Sequence, residues 1–188
     1  MVSRFLRHVP VSLELRSHFW TRHDYRYIYE MLITLSKFSD KPVTLSCQRR
    51  DGSLTWQSYG NHSGFFPIHD LTHYVVETQL SYRNAFFGMV SAGRDLNSFG
   101  PGEATHFHAE AFYAEMLAGL LTCADGRDSI LPFGVIMDTI HGQVQKLGIP
   151  PISLTEDDLI RIRDQAAELE TRWQLLPSGE KLTLEFPF

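Results

Sequence analysis

Two runs of alternating polar and apolar residues meet at one Asp-Gly pair in "PVTLSCQRRDGSLTWQSY", Pro42–Tyr59. Alternation has the period of a strand, and Asp-Gly tolerates the backbone angles of a tight reversal, so the segment commits the chain to an antiparallel hairpin. A two-residue loop of type I′ sets Cys47 opposite Trp56 and Leu45 opposite Ser58. Val43, Leu45, Cys47, Leu54 and Trp56 then share one face, and that face requires a cover.

The same period recurs on both sides. "MLITLSKF" places Ile33 and Leu35 together, and "EKLTLEFPF" alternates through Leu182, Leu184 and Phe186. Between them the pattern becomes helical. Pro67 suits a first helical turn, and the helix it opens covers roughly 67–81. "RNAFFGMVSAG" is a short helix with Gly93 as its stop. A nearly all-apolar helix spans about 104–123, after a "GPG" loop at 100–102. "ADGRDS" is a turn, and a further helix covers about 130–146 and ends at Gly148. The last helix begins at Thr155, with Asp158 completing a capping box. Leu159, Ile162, Ala166, Leu169 and Trp173 line one of its faces, and Arg161, Arg163, Glu168 and Arg172 the other. Strands, a helical block and a late strand predict an α+β fold: a small antiparallel sheet packed against about five helices.

Residues 1–30 stand apart. They carry five Arg and three acidic residues, about +2, whereas residues 31–188 carry about −7. They lack a clean period, which marks them as an appended basic arm or leader, with a single domain over 31–188. Apolar content of 43% and a net charge of −5 favour a packed domain over a nucleic-acid-coating one. Cys47 and Cys123 show no metal or disulfide spacing and read as reduced apolar side chains, as in a cytoplasmic protein. No basic amphipathic helix, signal peptide or run of roughly 18 apolar residues points to a membrane. Nor is there a phosphate-binding glycine loop.

The chemistry concentrates in "FPIHDLTHYVVETQL", Phe66–Leu80. At about 100° per residue, His69 and His73 fall within about 40° of each other on a stripe with Val76 and Leu80. Asp70 and Glu77 flank that stripe. Two imidazoles one turn apart can converge on one ion, as in helix-borne zinc sites. Glu77 lies about 12 Å of rise from His69, so a third ligand from another element is needed. On the long helix, Glu110 falls inside the apolar stripe, whereas Glu115 falls outside its narrowest part. A carboxylate on a buried face requires a partner, which makes Glu110 the expected third ligand. Asp95, His106 and His108 are weaker candidates. Two imidazoles and a carboxylate suit zinc, or manganese or iron, with a position open to water. Asp70 or Glu77 can accept that water's proton, or orient a histidine through its second N–H. His62 reads as an exposed loop residue, and His141 with Asp138 as a surface pair.

"DGSLTWQ", "FPIHDLTHYVVE" and "FFGMV" together resemble a family of small bacterial proteins, over roughly residues 31–125, with "HDLTHYVVE" the specific part. That family has no established activity, so the resemblance implies a shared fold unit. Its chains begin near Met31, and residues 1–30 depart from it. "HDLTH" is also similar to the HDxxH of a ubiquinone-biosynthesis family, where Glu follows after eleven residues. Ala85 stands at that place here. HD-domain phosphohydrolases share the metal-binding His-Asp pair. They need an upstream helical His, where this chain has a hairpin and His62, and a later Asp, for which Asp128 or Asp138 would serve.

The leading expectation is a divalent-metal-dependent hydrolase acting on a small-molecule substrate, with ligands His69, His73 and Glu110 and with Asp70 and Glu77 as catalytic acid/base groups. Two other readings stay open. One is a metal-free acid/base site. The other is a non-catalytic structural or regulatory module in which the cluster is a buried hydrogen-bonded core. Nucleic-acid binding rests only on Arg49-Arg50 and the basic arm, against an acidic body.

Overall fold

The computed structural model describes residues 29–99, 108–122 and 131–188. Four strands, β1 (Met31–Ser36), β2 (Thr44–Arg49), β3 (Leu54–Ser58) and β4 (Lys181–Phe186), form one antiparallel sheet in the order β3-β2-β1-β4. Five helices accompany it: α1 (Phe66–Gln79), α2 (Phe86–Ser91), α3 (Ala109–Thr122), α4 (Phe133–Leu147) and α5 (Glu156–Leu175). This is the expected α+β layout, with the C-terminal strand beside β1 through Ile33↔Leu184 and Leu35↔Leu182. The basic arm, "GPG" and "ADGRDS", the first residues assigned to the long helix, and Cys123 lie outside the described residues. Glu30 already belongs to the folded body, since its N–H donates to the Phe186 carbonyl at 2.9 Å.

Period-two alternation decides which face of the sheet is covered. Met31, Ile33, Leu35, Leu45, Cys47, Leu182, Leu184 and Phe186 are buried in one cluster with helix residues Leu71, Val75, Tyr113, Leu159 and Trp173. Thr34 and Thr183 meet on the opposite, solvated face. Cys47 is a free thiol, and burial, reinforced by nearby Asp70, pushes its pKa up to about 12. Thr155 and Asp158 form the expected capping box, each bonding the other's backbone N–H. Lys37 closes the other end of α5. Its ammonium donates to the carbonyls of Trp173, Gln174 and Leu176, where a helix terminus favours positive charge.

The hairpin forms, but in a different register from the expected one. Asp51 has no positive φ, as a type I′ turn demands, whereas Gly52 has φ +86°. The reversal takes three residues, Arg50 to Gly52. Gly52 N–H bonds the Arg49 carbonyl, and Arg49 N–H bonds the Ser53 carbonyl, both at 2.9 Å. This is a type I turn closed by a left-handed glycine. The extra loop residue slides the pairing by one, so Cys47 faces Thr55 and Ser46 faces Trp56. A one-residue slip exchanges faces. Leu54 and Trp56 therefore point to solvent, 61% and 58% exposed, and Thr55 takes the core position. Its buried hydroxyl is satisfied by donating to Asp95 and accepting from Leu96 N–H, both at 3.0 Å.

Arg49 and Arg50 both bond within the chain. Arg49 donates to the carbonyls of Val90 in α2 and of Arg94 just beyond it, and Arg50 pairs with Glu30 at 3.1 Å. Among the described residues, no helix is long and apolar enough to cross a membrane.

The register predicts an asymmetry between neighbours. Trp56→Ser should change unfolding free energy by no more than about 0.5 kcal/mol, whereas Leu45→Ala should cost about 2–5 kcal/mol. Urea titration of both variants checks it, and a loss above about 3 kcal/mol for Trp56→Ser would favour the two-residue loop.

Candidate metal centre

Helix α1 runs through the middle of the helical layer, packed against α2, α3 and α5. Pro67 occupies its first turn, where a missing N–H costs nothing. Eight of its fourteen residues are buried, and they include Asp70, Thr72, His73 and Glu77. Buried polar groups persist only when bonded, so each must find a partner on an adjoining element.

Three of the side chains converge. The Nε2 of His73 lies 3.1 Å from Oε2 of Glu115 on α3, and the Nε2 of His69 lies 3.7 Å from Oε1 of the same carboxylate. The two imidazoles meet edge to face, with centroids 4.8 Å apart. One ligand atom from each of His69, His73 and Glu115 can be chosen so that all lie within 4.8 Å of one another. The group can therefore hold a metal ion.

Both rings are also held from behind. The Nδ1 of His69 is 3.3 Å from the Thr122 hydroxyl, whose own proton goes to the Ala118 carbonyl. That leaves a Thr122 lone pair to accept from His69 Nδ1–H. The Nδ1 of His73 touches Oε1 of Glu77 at 3.4 Å, a charge contact short of a well-formed hydrogen bond. A proton on each Nδ1 frees both Nε2 lone pairs to point at the same place, as metal-ligating histidines require. Phe65 stacks on His69 and Phe86 leans on His73, which restricts both rings further.

Burial alone would lower the His73 pKa, but Glu115 and then Glu77 outweigh it and lift the imidazole to about 10. His69, and then His73, hold Glu115 well below the usual carboxylate range. Glu115 is the solvent-facing member, with 68% of its side chain exposed, whereas His69 and His73 are 12% and 5% exposed. The site thus has a closed floor and an open rim.

The third member of the cluster is Glu115, where the helical wheel pointed to Glu110. Glu110 instead accepts the backbone N–H groups of Arg83 and Asn84, at 2.8 and 2.6 Å, in the loop between α1 and α2. The wheel misled because α3 is apolar nearly all round, so its stripe does not say which face meets α1. A buried acid needs a partner most, but the acid that meets the histidines sits at the exposed rim. The usable signal was that Glu115 and Thr122, seven residues apart, share a helix face.

Asp70 is buried and takes a 2.5 Å hydrogen bond from the Tyr59 hydroxyl, beyond the end of β3. Burial pushes its carboxyl pKa up, and Tyr59, His73 and His69 pull against that shift. Glu77 is fully buried and accepts from Phe87 N–H at 3.2 Å and Gly88 N–H at 3.0 Å, so it caps the start of α2. Gly88 must remain glycine, because a Cβ there would lie 2.3 Å from the Arg83 carbonyl oxygen. Asp95 caps a 3-10 turn and bonds Thr55, away from the histidines. His108, His62, His141 and Asp138 are exposed, and His106 and Asp128 lie outside the described residues.

No protein-family model, curated protein or solved structure matches this chain.

Two outcomes follow from this geometry. Glu77→Ala strands two buried N–H groups and should cost about 3 kcal/mol or more in urea unfolding, against about 1 kcal/mol for Glu110→Ala. In the metal-free chain, His73 should remain doubly protonated at pH 8, as read by long-range ¹H–¹⁵N correlation. Its folded pKa is raised, so its stabilising contribution is complete below about pH 6.5 and fades as pH rises towards about 10. For Glu115 the sign is opposite. Its contribution is complete above its unfolded pKa near 4.5 and is lost on acidification.

Proposed function

We propose that the chain is a divalent-metal-dependent hydrolase of a small-molecule substrate, with His69, His73 and Glu115 as ligands. The observation that carries this reading is the convergence of both Nε2 atoms on one rim carboxylate, with both Nδ1 atoms engaged from behind. Two imidazoles and one carboxylate suit zinc best, and manganese or iron next. The bound ion would supply Lewis acidity and bring the pKa of a coordinated water towards neutrality.

The protein's own residues do the rest. Glu77 orients His73 while both its oxygens cap α2, and Asp70 adds negative charge behind both histidines while bonded to Tyr59. With those partners, Asp70 and Glu77 serve as positioning residues, not as the acceptor of the water's proton. The exposed side of Glu115 is where solvent reaches the ligands. Loading the site requires His73 to give up the proton that faces Glu115, so metal affinity rises with pH.

One set of contacts favours the non-catalytic reading. The His73–Glu115 pair already completes the cluster as an ion pair, and Asp70 and Glu77 both have structural partners. Under that reading, chelators and added metal leave stability unchanged.

Protein purified without a histidine tag separates the two. Elemental analysis and calorimetry should find about one equivalent of a transition metal, with a higher melting temperature that chelation reverses. Glu115→Ala should weaken zinc binding by more than the roughly 10–100-fold typical of an orienting partner. Glu110→Ala should leave it unchanged. Less than about a tenth of an equivalent, with stability indifferent to chelation, would overturn the metal reading.

A further inference from the structure

A cavity of about 610 Å³ lies between α1, α5 and the C-terminal end of α3. Its size falls in the range of small-molecule sites. Its walls include Phe65, Ile68, Leu120, Leu121, Leu131 and Ala167. Two features tie it to the metal group. Phe65, which lines it, stacks on the His69 ring at 5.5 Å, and Thr122, which also lines it, is the hydroxyl that holds His69 Nδ1.

The lining extends along two helices. The α1 wall runs from Phe65 to Thr72, about 10 Å of rise, and the α5 wall from Arg163 to Gln174, about 16 Å. A slot along two helices fits an extended chain better than a compact ring system. The charges select further. Asp164 and Glu170 line the cavity against one cation, Arg163, whose guanidinium already donates to the Leu131 carbonyl. Such a lining disfavours a free carboxylate and accepts a neutral chain.

We infer that this cavity is the acyl subsite of the proposed hydrolase, taking the unbranched apolar tail of a neutral ester or amide. The inference rests on the metal reading above. The tail lies between α1 and α5, and the carbonyl end reaches the ligands past Phe65. Hydrolysis adds water across the acyl bond and yields an acid plus an alcohol or amine.

The test uses the full chain, with and without zinc, and a series of N-methylalkanamides from butanamide to octanamide. Calorimetry should show affinity rising about four-fold per methylene until the slot is full. Ala167→Trp, which fills the slot from the α5 wall, should abolish that dependence and leave zinc affinity unchanged. Thr171→Trp, one turn along the same wall, gives an independent readout if Ala167→Trp fails to fold. With zinc bound, turnover of p-nitrophenyl octanoate should fall at least ten-fold in the filled variant, while p-nitrophenyl acetate turnover holds. Amide binding that ignores chain length or survives both fillings, with zinc binding intact, overturns the acyl subsite alone. Absent zinc binding, with chain-length dependence intact, overturns the metal reading and with it the assignment of this cavity to that reaction.

Discussion

One constraint organises the structure: α1 is buried on several sides while carrying His69, Asp70, His73 and Glu77. A buried ionisable group without a partner costs several kcal/mol. Each of the four is therefore met by a side chain or backbone group from another element. Asp70 is bonded by Tyr59 past the end of β3, and Glu77 caps α2. Thr122 bonds His69, and Glu115 faces both histidines from α3. Satisfying these groups ties the sheet, α2 and α3 to one helix, so stability and site geometry have the same source.

That economy shapes the chemistry. The same side chains that complete a hydrogen-bonded core leave both Nε2 atoms converging beneath an exposed carboxylate. Without metal, a proton on His73 balances Glu115 and Glu77, whose charges lift the imidazole pKa to about 10 against the effect of burial. A metal ion would replace that proton at Nε2 while Glu77 kept its hold on Nδ1. The slot beyond Phe65 and Thr122 borders the same assembly.

Much of this was legible in the sequence. Alternation identified β1, β2 and β4, the Thr155–Asp158 box marked the start of α5, and the four-residue spacing of His69 and His73 placed both rings on one side of α1. Two features were not legible, for related reasons. The hairpin register depended on whether Asp51-Gly52 formed a two- or three-residue loop, and both choices satisfy alternation. The left-handed Gly52 with Asp51 at negative φ decided it, and exchanged Trp56 for Thr55 in the core. The third member of the cluster depended on which face of α3 meets α1, and a helix apolar nearly all round carries no mark of that.

Local chemistry by itself therefore determined the elements, the α+β class and the pair of histidines, because each rests on periodicity or on residues within a few positions of one another. Tertiary structure alone decided that Glu115 and not Glu110 faces the histidines, and that Asp70 and Glu77 are held by Tyr59 and by the start of α2. Those pairings join residues on separate elements. Helix rotation and packing set them, and the intrinsic preferences of the residues involved do not encode either.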